Sequence, residues 1–211
     1  NYDLLLYWAL MHEKISFPNS IALSNNDGFR NDENHPNANH LVWQGETGAH
    51  DANVHFLHGA LHLFDAGSEI QKFTWARKQE RLIHQARAAI SVNKFPLFVA
   101  EGSSFQKETK IRHNAYLYQG LKQLTANAKE KNDCFFIYGH SLAQNDNHIL
   151  MRLANGRFPH LFVSLFRDSN ANVDKEIIAR AQRLATLRAY NYPNYPLELT
   201  FYDAESAAVW D

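Results

Sequence analysis

Three places in the sequence set a glycine directly beside side chains that can hold or move a proton. They are His58-Gly59, Glu101-Gly102-Ser103-Ser104, and Gly139-His140-Ser141 followed by Asn145-Asp146. Each stands at the end of an apolar run, and doubly wound sheets bind their ligands outside the carboxyl ends of such strands. Glycine lets the backbone approach a ligand closely, while Glu, Asp, Ser and His supply the donors and acceptors that a hydroxyl-rich ligand needs. His58 is the candidate proton carrier, because a strand end and a following glycine hold its near-neutral imidazole in a fixed position. His55, three residues earlier, points to the opposite face of that strand and is given no role. Taken singly, each loop also reads as a turn and helix cap, for which Gly, Ser, Asn and Asp are the usual residues.

Other chemistries find no pattern here. Of twelve histidines, His12, His35, His40, His50, His55, His58 and His62 crowd the first third, yet no H-E-x-x-H pair occurs. The single cysteine, Cys134, cannot build a cysteine-ligated zinc site; a histidine-only site stays open but nothing in the spacing prompts it, and no metal is expected. Gly139-His140-Ser141 lacks the second glycine of a G-x-S-x-G nucleophile elbow, since Ala143 stands in its place. Neither G-x-G-x-x-G nor G-x-x-x-x-G-K-[ST] is found among the nine glycines, so the sequence carries no phosphate loop.

The elements that must position these residues alternate. Apolar spacing predicts a short helix from Asp3, a strand over 54–59, an amphipathic helix or broken pair over 68–92, and a strand over 95–100. A helix over 107–129 leads to Cys134-Phe135-Phe136-Ile137-Tyr138, a run suited to a strand buried on both faces. A short helix over 146–154, a strand over 158–166, a helix over 174–189 with Asp174 at its N-cap, and a strand over 197–202 complete the series. The segment 19–50 is crowded with Asn, Asp, Gly and His and reads as a long polar loop, placed as a lid over the site or as a docking element for a partner. Strands alternating with helices predict an α/β fold, Rossmann-like and doubly wound, with a mostly parallel sheet and helices on both faces.

Size and composition bound the reading. A chain of 211 residues suits a single domain over 1–211. Hydrophobic content of 45% is ordinary for a globular protein, and no apolar run approaches the ~20 residues of a membrane span. Lys+Arg at 21 against Asp+Glu at 22 leaves a net charge of −1, too little basic field for direct nucleic-acid binding. A lone cysteine suits a reducing compartment, and the cytoplasm is the expected location.

Several short motifs occur in a telling order: Asn1-Tyr2-Asp3-Leu4-Leu5; Leu57-His58-Gly59; Phe98-Val99-Ala100-Glu101-Gly102 with Lys107 and Ile111; and Gly139-His140-Ser141-Leu142 with Asp146-Asn147-His148-Ile149. Together they resemble the sirtuin-like domain of bacterial proteins, and within that superfamily an uncharacterised bacterial family, over nearly the whole chain. The resemblance implies a Rossmann-like nucleotide site and hydrolysis of NAD to nicotinamide and ADP-ribose in anti-phage defence. It implies Asn1 and His58 as the catalytic pair, with Asp3, Gly59, Glu101, Gly102, Gly139, Ser141 and Asp146 about the nucleotide. His58 would serve as general base and Asn1 would orient the attacking water or the nicotinamide amide. The implied partners are NAD or a related nucleotide, and a second copy of the chain or a defence-system protein. The chain departs from that family in two respects: it lacks the cysteine-ligated zinc module of protein-deacylating relatives, and the Asn-Tyr-Asp motif opens it where a phosphate loop should come first. Two readings follow, a fragment of a longer domain or a degenerate form unable to hold NAD. A non-catalytic nucleotide sensor or assembly module of the same fold is the alternative function.

Overall fold

The computed structural model describes residues 25–33, 35–74, 80–166 and 171–207, and they form a mixed α/β protein of two compact units. The first unit takes residues 1–101 and 109–120, and the second takes 102–108 and 121–211.

In the first unit the strands β1 (Phe29–Arg30), β2 (His40–Trp43), β3 (Gly59–Asp65), β4 (Ile70–Phe73) and β5 (Pro96–Phe98) form one sheet in the order β1-β2-β4-β3-β5. Every pairing in it is antiparallel, so the expected mostly parallel sheet is not what these strands build. The connection lengths explain the difference. Only residues 66–69 join β3 to β4, with Gly67 at φ +86, a conformation that favours glycine, and the Ala66 N–H donating to the Glu69 carbonyl at 2.9 Å; so short a link can join only antiparallel neighbours. The core packs Phe64 face to face on Phe73, ring centres 4.5 Å apart, against Ala86 and Ala89 of helix α2 (Leu82–Ser91), the short α1 being Gly45–Gly48.

Three expectations are corrected in this unit. The described part of 19–50 contains β1, β2 and α1 and is not a continuous loop. Its polar side chains fold the chain instead of loosening it: the Gly28 N–H donates to Asn26 Oδ1 at 3.0 Å, and the Phe29 N–H to Asp27 Oδ1 at 3.2 Å, launching β1. The strand expected over 54–59 begins only at Gly59 and runs to Asp65, so His58 precedes a strand where it was expected to end one. The helix expected over 68–92 is split into β4 and α2, because Lys72 turns inward to an ion pair with Asp27 and lies over the Phe29 ring at 5.2 Å.

In the second unit β6 (Cys134–Ile137), β7 (His160–Leu165) and β8 (Glu198–Asp203) are parallel in the order β6-β7-β8. They are joined through α5 (Asn147–Ala154) and α6 (Ala171–Asn191), two β-α-β crossovers as the alternation predicts. Helices α3 (Ser104–His113) and α4 (Ala115–Asn127) divide their residues between the two units. Leu161 and Val163 of β7 pack with Leu150 and Leu153 of α5 and Ala181 and Leu184 of α6, joined by Phe135, Ile137, Leu199 and Phe201 from the same sheet face. Within this unit both helices belong to that one core. On the alternate face Phe136 stacks on Phe162, ring centres 4.5 Å apart, and remains 65% exposed. The expectation that 134–138 is buried on both faces therefore fails: among the described residues β6 is an edge strand with a helix layer on one side. Among the described residues no helix is long and apolar enough to cross a membrane.

One buried group gives the first unit a predictable acid response. His62 of β3 is 2% exposed, and burial, with the Lys72 charge in second place, pushes its imidazole down to about 3. Unfolded, it titrates near 6.5. Between those values the unfolded chain binds a proton that the folded chain refuses, so stability is full above about pH 6.5 and falls as the pH drops towards 3. Urea unfolding of the wild type at pH 7.5 and 4.5 is expected to show an acid loss about 2–3 kcal/mol larger than that of His62→Leu. Equal acid losses in the two proteins would remove His62 from the account.

Candidate functional site

The parallel sheet of the second unit ends in the polar loop 138–146, and that loop is built to hold still. Gly139 takes φ +64, a conformation that favours glycine, and its N–H donates to Ser164 Oγ at 3.0 Å, tying the end of β6 to β7. Leu142 also lies in the left-handed region at φ +52, at a cost of about 1–2 kcal/mol, and its fully buried side chain helps hold it there. The Leu142 N–H donates to His140 Nδ1 at 2.9 Å. A ring nitrogen that accepts carries no proton, so neutral His140 keeps its hydrogen on Nε2, which lies 3.3 Å from Asp146 Oδ2 and donates to it. Ser141 is fixed through its carbonyl, which accepts from Arg180 Nη1 of α6 at 2.8 Å.

Asp146 is the centre of this arrangement. It occupies the N-cap position of α5 but makes no side-chain capping bond, its carboxylate being turned towards other partners. Besides His140 it meets Lys107 Nζ at 2.8 Å, and the Lys107 side chain is 3% exposed. Lys107 and Ile111 sit four residues apart on one face of α3, which places the lysine on the buried side of the helix. Beside them, the backbone N–H of His148 donates to Ser104 Oγ at 2.7 Å, and the same hydroxyl lies 3.3 Å from His148 Nδ1. Arg152 Nη2 meets Glu108 at 2.5 Å, a second link between α3 and α5. Burial pushes the His140 and His148 imidazoles below their usual value, against the opposing pull of the Asp146 charge. At neutral pH both imidazoles are thus uncharged beside the Lys107–Asp146 ion pair. Carboxylates have about four acceptor directions, enough for Asp146 to take ligand hydroxyls beside its protein partners.

The residues expected at the site fall into three groups. Gly139, Ser141 and Asp146 come together on this loop, and Gly102, at φ +113 beside the Gln106 side chain, belongs to the same unit. His58, Gly59 and Glu101 belong to the first unit. There the His58 carbonyl accepts from the Val99 N–H at 2.7 Å, Glu101 is exposed, and Gly59 faces the neighbouring strand. Asn1 and Asp3 lie outside the described residues. Sequence reasoning assigned no function to Lys107 or His148. For Lys107 a signal existed, its four-residue spacing from Ile111; for His148 nothing local distinguishes it from the other histidines.

No curated protein and no solved structure matches this chain. A family model described as a domain of unknown function (DUF4917) matches residues 1–210, and the chain belongs to that family.

Proposed function

We propose that the chain is an NAD-consuming hydrolase of the sirtuin-like kind, with a Rossmann-like ribose site on loop 138–146 of its second unit. The observation that carries this reading is the Lys107–Asp146 pair at the carboxyl end of a parallel β-α-β-α-β unit. A carboxylate fixed there by a buried cation is the group that binds a ribose diol, and strand ends of this kind are where α/β sheets take nucleotides. Asp146 accepts from the ribose hydroxyls, Ser141 adds a hydroxyl, and Gly139, where an added Cβ would meet nothing within 4 Å, leaves room for a ligand. In the reaction, the nicotinamide nitrogen takes the electron pair of its bond to ribose and leaves as the neutral base. Water adds to the anomeric carbon through an oxocarbenium-like state and gives up a proton. Asn1 and His58 remain the pair that the family resemblance implies for that step. A role in bacterial defence, in the cytoplasm and with a second copy or a defence protein as partner, belongs to the same reading.

The test follows nicotinamide release by chromatography and NAD binding by calorimetry. The wild type is expected to bind NAD and release nicotinamide. The double variant Lys107→Met/Asp146→Asn, which removes both charges and strands neither, is expected to bind 10- to 100-fold more weakly, the value of about 1.5–3 kcal/mol for hydrogen bonds to a charged group. His58→Ala is expected to bind normally and release no nicotinamide. Binding without release in the wild type would leave the sensor function; unchanged binding in the double variant would dismiss the ribose site.

A further inference from the structure

Between α5 and α6, beside the 3₁₀ turn at 144–146, the second unit contains a cavity of about 510 Å³. Its floor is apolar, with Leu142, Leu150 and Leu184 as buried members. Its rim is not. Arg180 and Arg183, one turn apart on α6, line it together with the amide of Asn147. Glu176 is the one carboxylate in the lining, and it is bound to Arg180 Nη2 at 2.6 Å, while Arg180 Nη1 is taken by the Ser141 carbonyl. The Arg183 side chain makes no ion pair or hydrogen bond among the described residues.

Two guanidinium groups facing one carboxylate over a greasy floor favour a particular kind of occupant. A guanidinium presents a planar fork that matches a carboxylate or phosphate with two parallel hydrogen bonds. Pockets of a few hundred cubic ångströms, apolar inside and with a small number of placed polar groups, are the usual form of small-molecule sites. We infer that this cavity binds a small organic anion with an aliphatic body, the chain lying over Leu142, Leu150 and Leu184 and the anionic head on Arg183. The site is distinct from the Asp146 cluster and does not depend on its assignment to NAD. Through Arg180, which holds the Ser141 carbonyl, the occupied cavity adjoins the loop that carries Ser141 and Asp146.

The probes are decanoate and decyl phosphate, which share the body and differ in the source of the negative charge, with decylammonium and inorganic phosphate as controls. Calorimetry on the full chain is expected to show binding of at least one of the two anions, a loss of tenfold or more in Arg183→Gln, and no binding in Ala179→Trp. Ala179 lines the cavity from an exposed helical position, so its indole fills the space without entering the core, and a melting curve checks that the fold persists. Whichever anion binds more tightly identifies the head group as carboxylate or phosphate. Equal binding to Arg183→Gln, equal binding of decylammonium, inorganic phosphate binding as tightly as the decyl compounds, or no binding of either decyl anion below its micellar concentration would each overturn the assignment.

Discussion

Replacing Arg188 by alanine is expected to cost the second unit about 3–5 kcal/mol, enough to unfold it near physiological temperature. Arg188 of α6 is 0% exposed and has no carboxylate partner among its hydrogen bonds. Its guanidinium is satisfied by backbone alone. Nε donates to the Ala154 carbonyl at 2.7 Å, Nη2 to that of Leu153, and Nη1 to that of Phe158 at 3.1 Å, while the Phe158 ring lies 4.8 Å beneath. Leu153 and Ala154 close α5, whose last carbonyls have no partner within the helix and carry the negative end of its dipole. A buried cation at that end is therefore compensated by geometry in place of a counter-charge. Truncation takes the donor from the buried Ala154 and Phe158 carbonyls, while that of Leu153 keeps the Gly156 N–H at 3.1 Å; the cost is about 1–3 kcal/mol for each group fully deprived, and a cavity opens over the Phe158 ring. Arg188→Met fills the volume and leaves the carbonyls, so it separates the two costs; Arg188→Lys restores a donor without the fork and is expected to be the mildest. Because two units need not melt together, hydrogen exchange of the β6–β8 amides is the measurement of choice. If Arg188→Met protects those amides as well as the wild type does, the carbonyl cap contributes nothing.

The sequence showed α6 plainly and Arg188 not at all, and that contrast recurs through the chain. Ile177, Ala181 and Leu184 repeat at helical spacing, and the helix expected over 174–189 is observed at Ala171–Asn191. Likewise the apolar runs at 134–138, 158–166 and 197–202 became β6, β7 and β8, because in a crossover unit each element declares itself by its own periodicity. The antiparallel sheet is held by partners far apart in the chain. Lys72 reads as a surface residue until Asp27, forty-five positions earlier, is placed beside it, and Ile70 with Phe73 then fits a helix period as readily as a strand. The site divides in the same manner. Gly139, Ser141 and Asp146 are neighbours in sequence and were found together, whereas the Lys107 partner of Asp146 comes from thirty-nine residues away.

A single methyl group at Gly59 is expected to be as damaging as the loss of Arg188. The sequence suggested that this glycine admits a ligand, but what approaches it is the protein itself. Gly59 opens β3 at φ +78 opposite Phe98 of β5, and a Cβ built there would stand 1.9 Å from the Leu97 carbonyl oxygen, 2.7 Å from its carbon and 2.9 Å from the Phe98 Cα. All three atoms are backbone, so no side chain can rotate away. Relief requires β5 to move, and among the described strands β5 pairs with β3 alone. Moving it breaks the bond from the Val99 N–H to the His58 carbonyl and uncovers Ala60 and Val99, both buried. The left-handed backbone alone adds about 1–2 kcal/mol for any residue with a Cβ. With the clash included, Gly59→Ala is expected to lose about 3–5 kcal/mol, in the range of severe core overpacking. The loss should fall on β3 and β5 of the first unit and leave the exchange protection of β6–β8 unchanged. A variant with D-alanine at this position, made by chemical ligation, separates the contributions: its mirror-image preference accepts the positive φ and directs the methyl away from Leu97. Recovery of most of the lost stability by D-alanine is the expected result. Wild-type stability in Gly59→Ala itself would show that β5 is not held where its pairing with β3 places it.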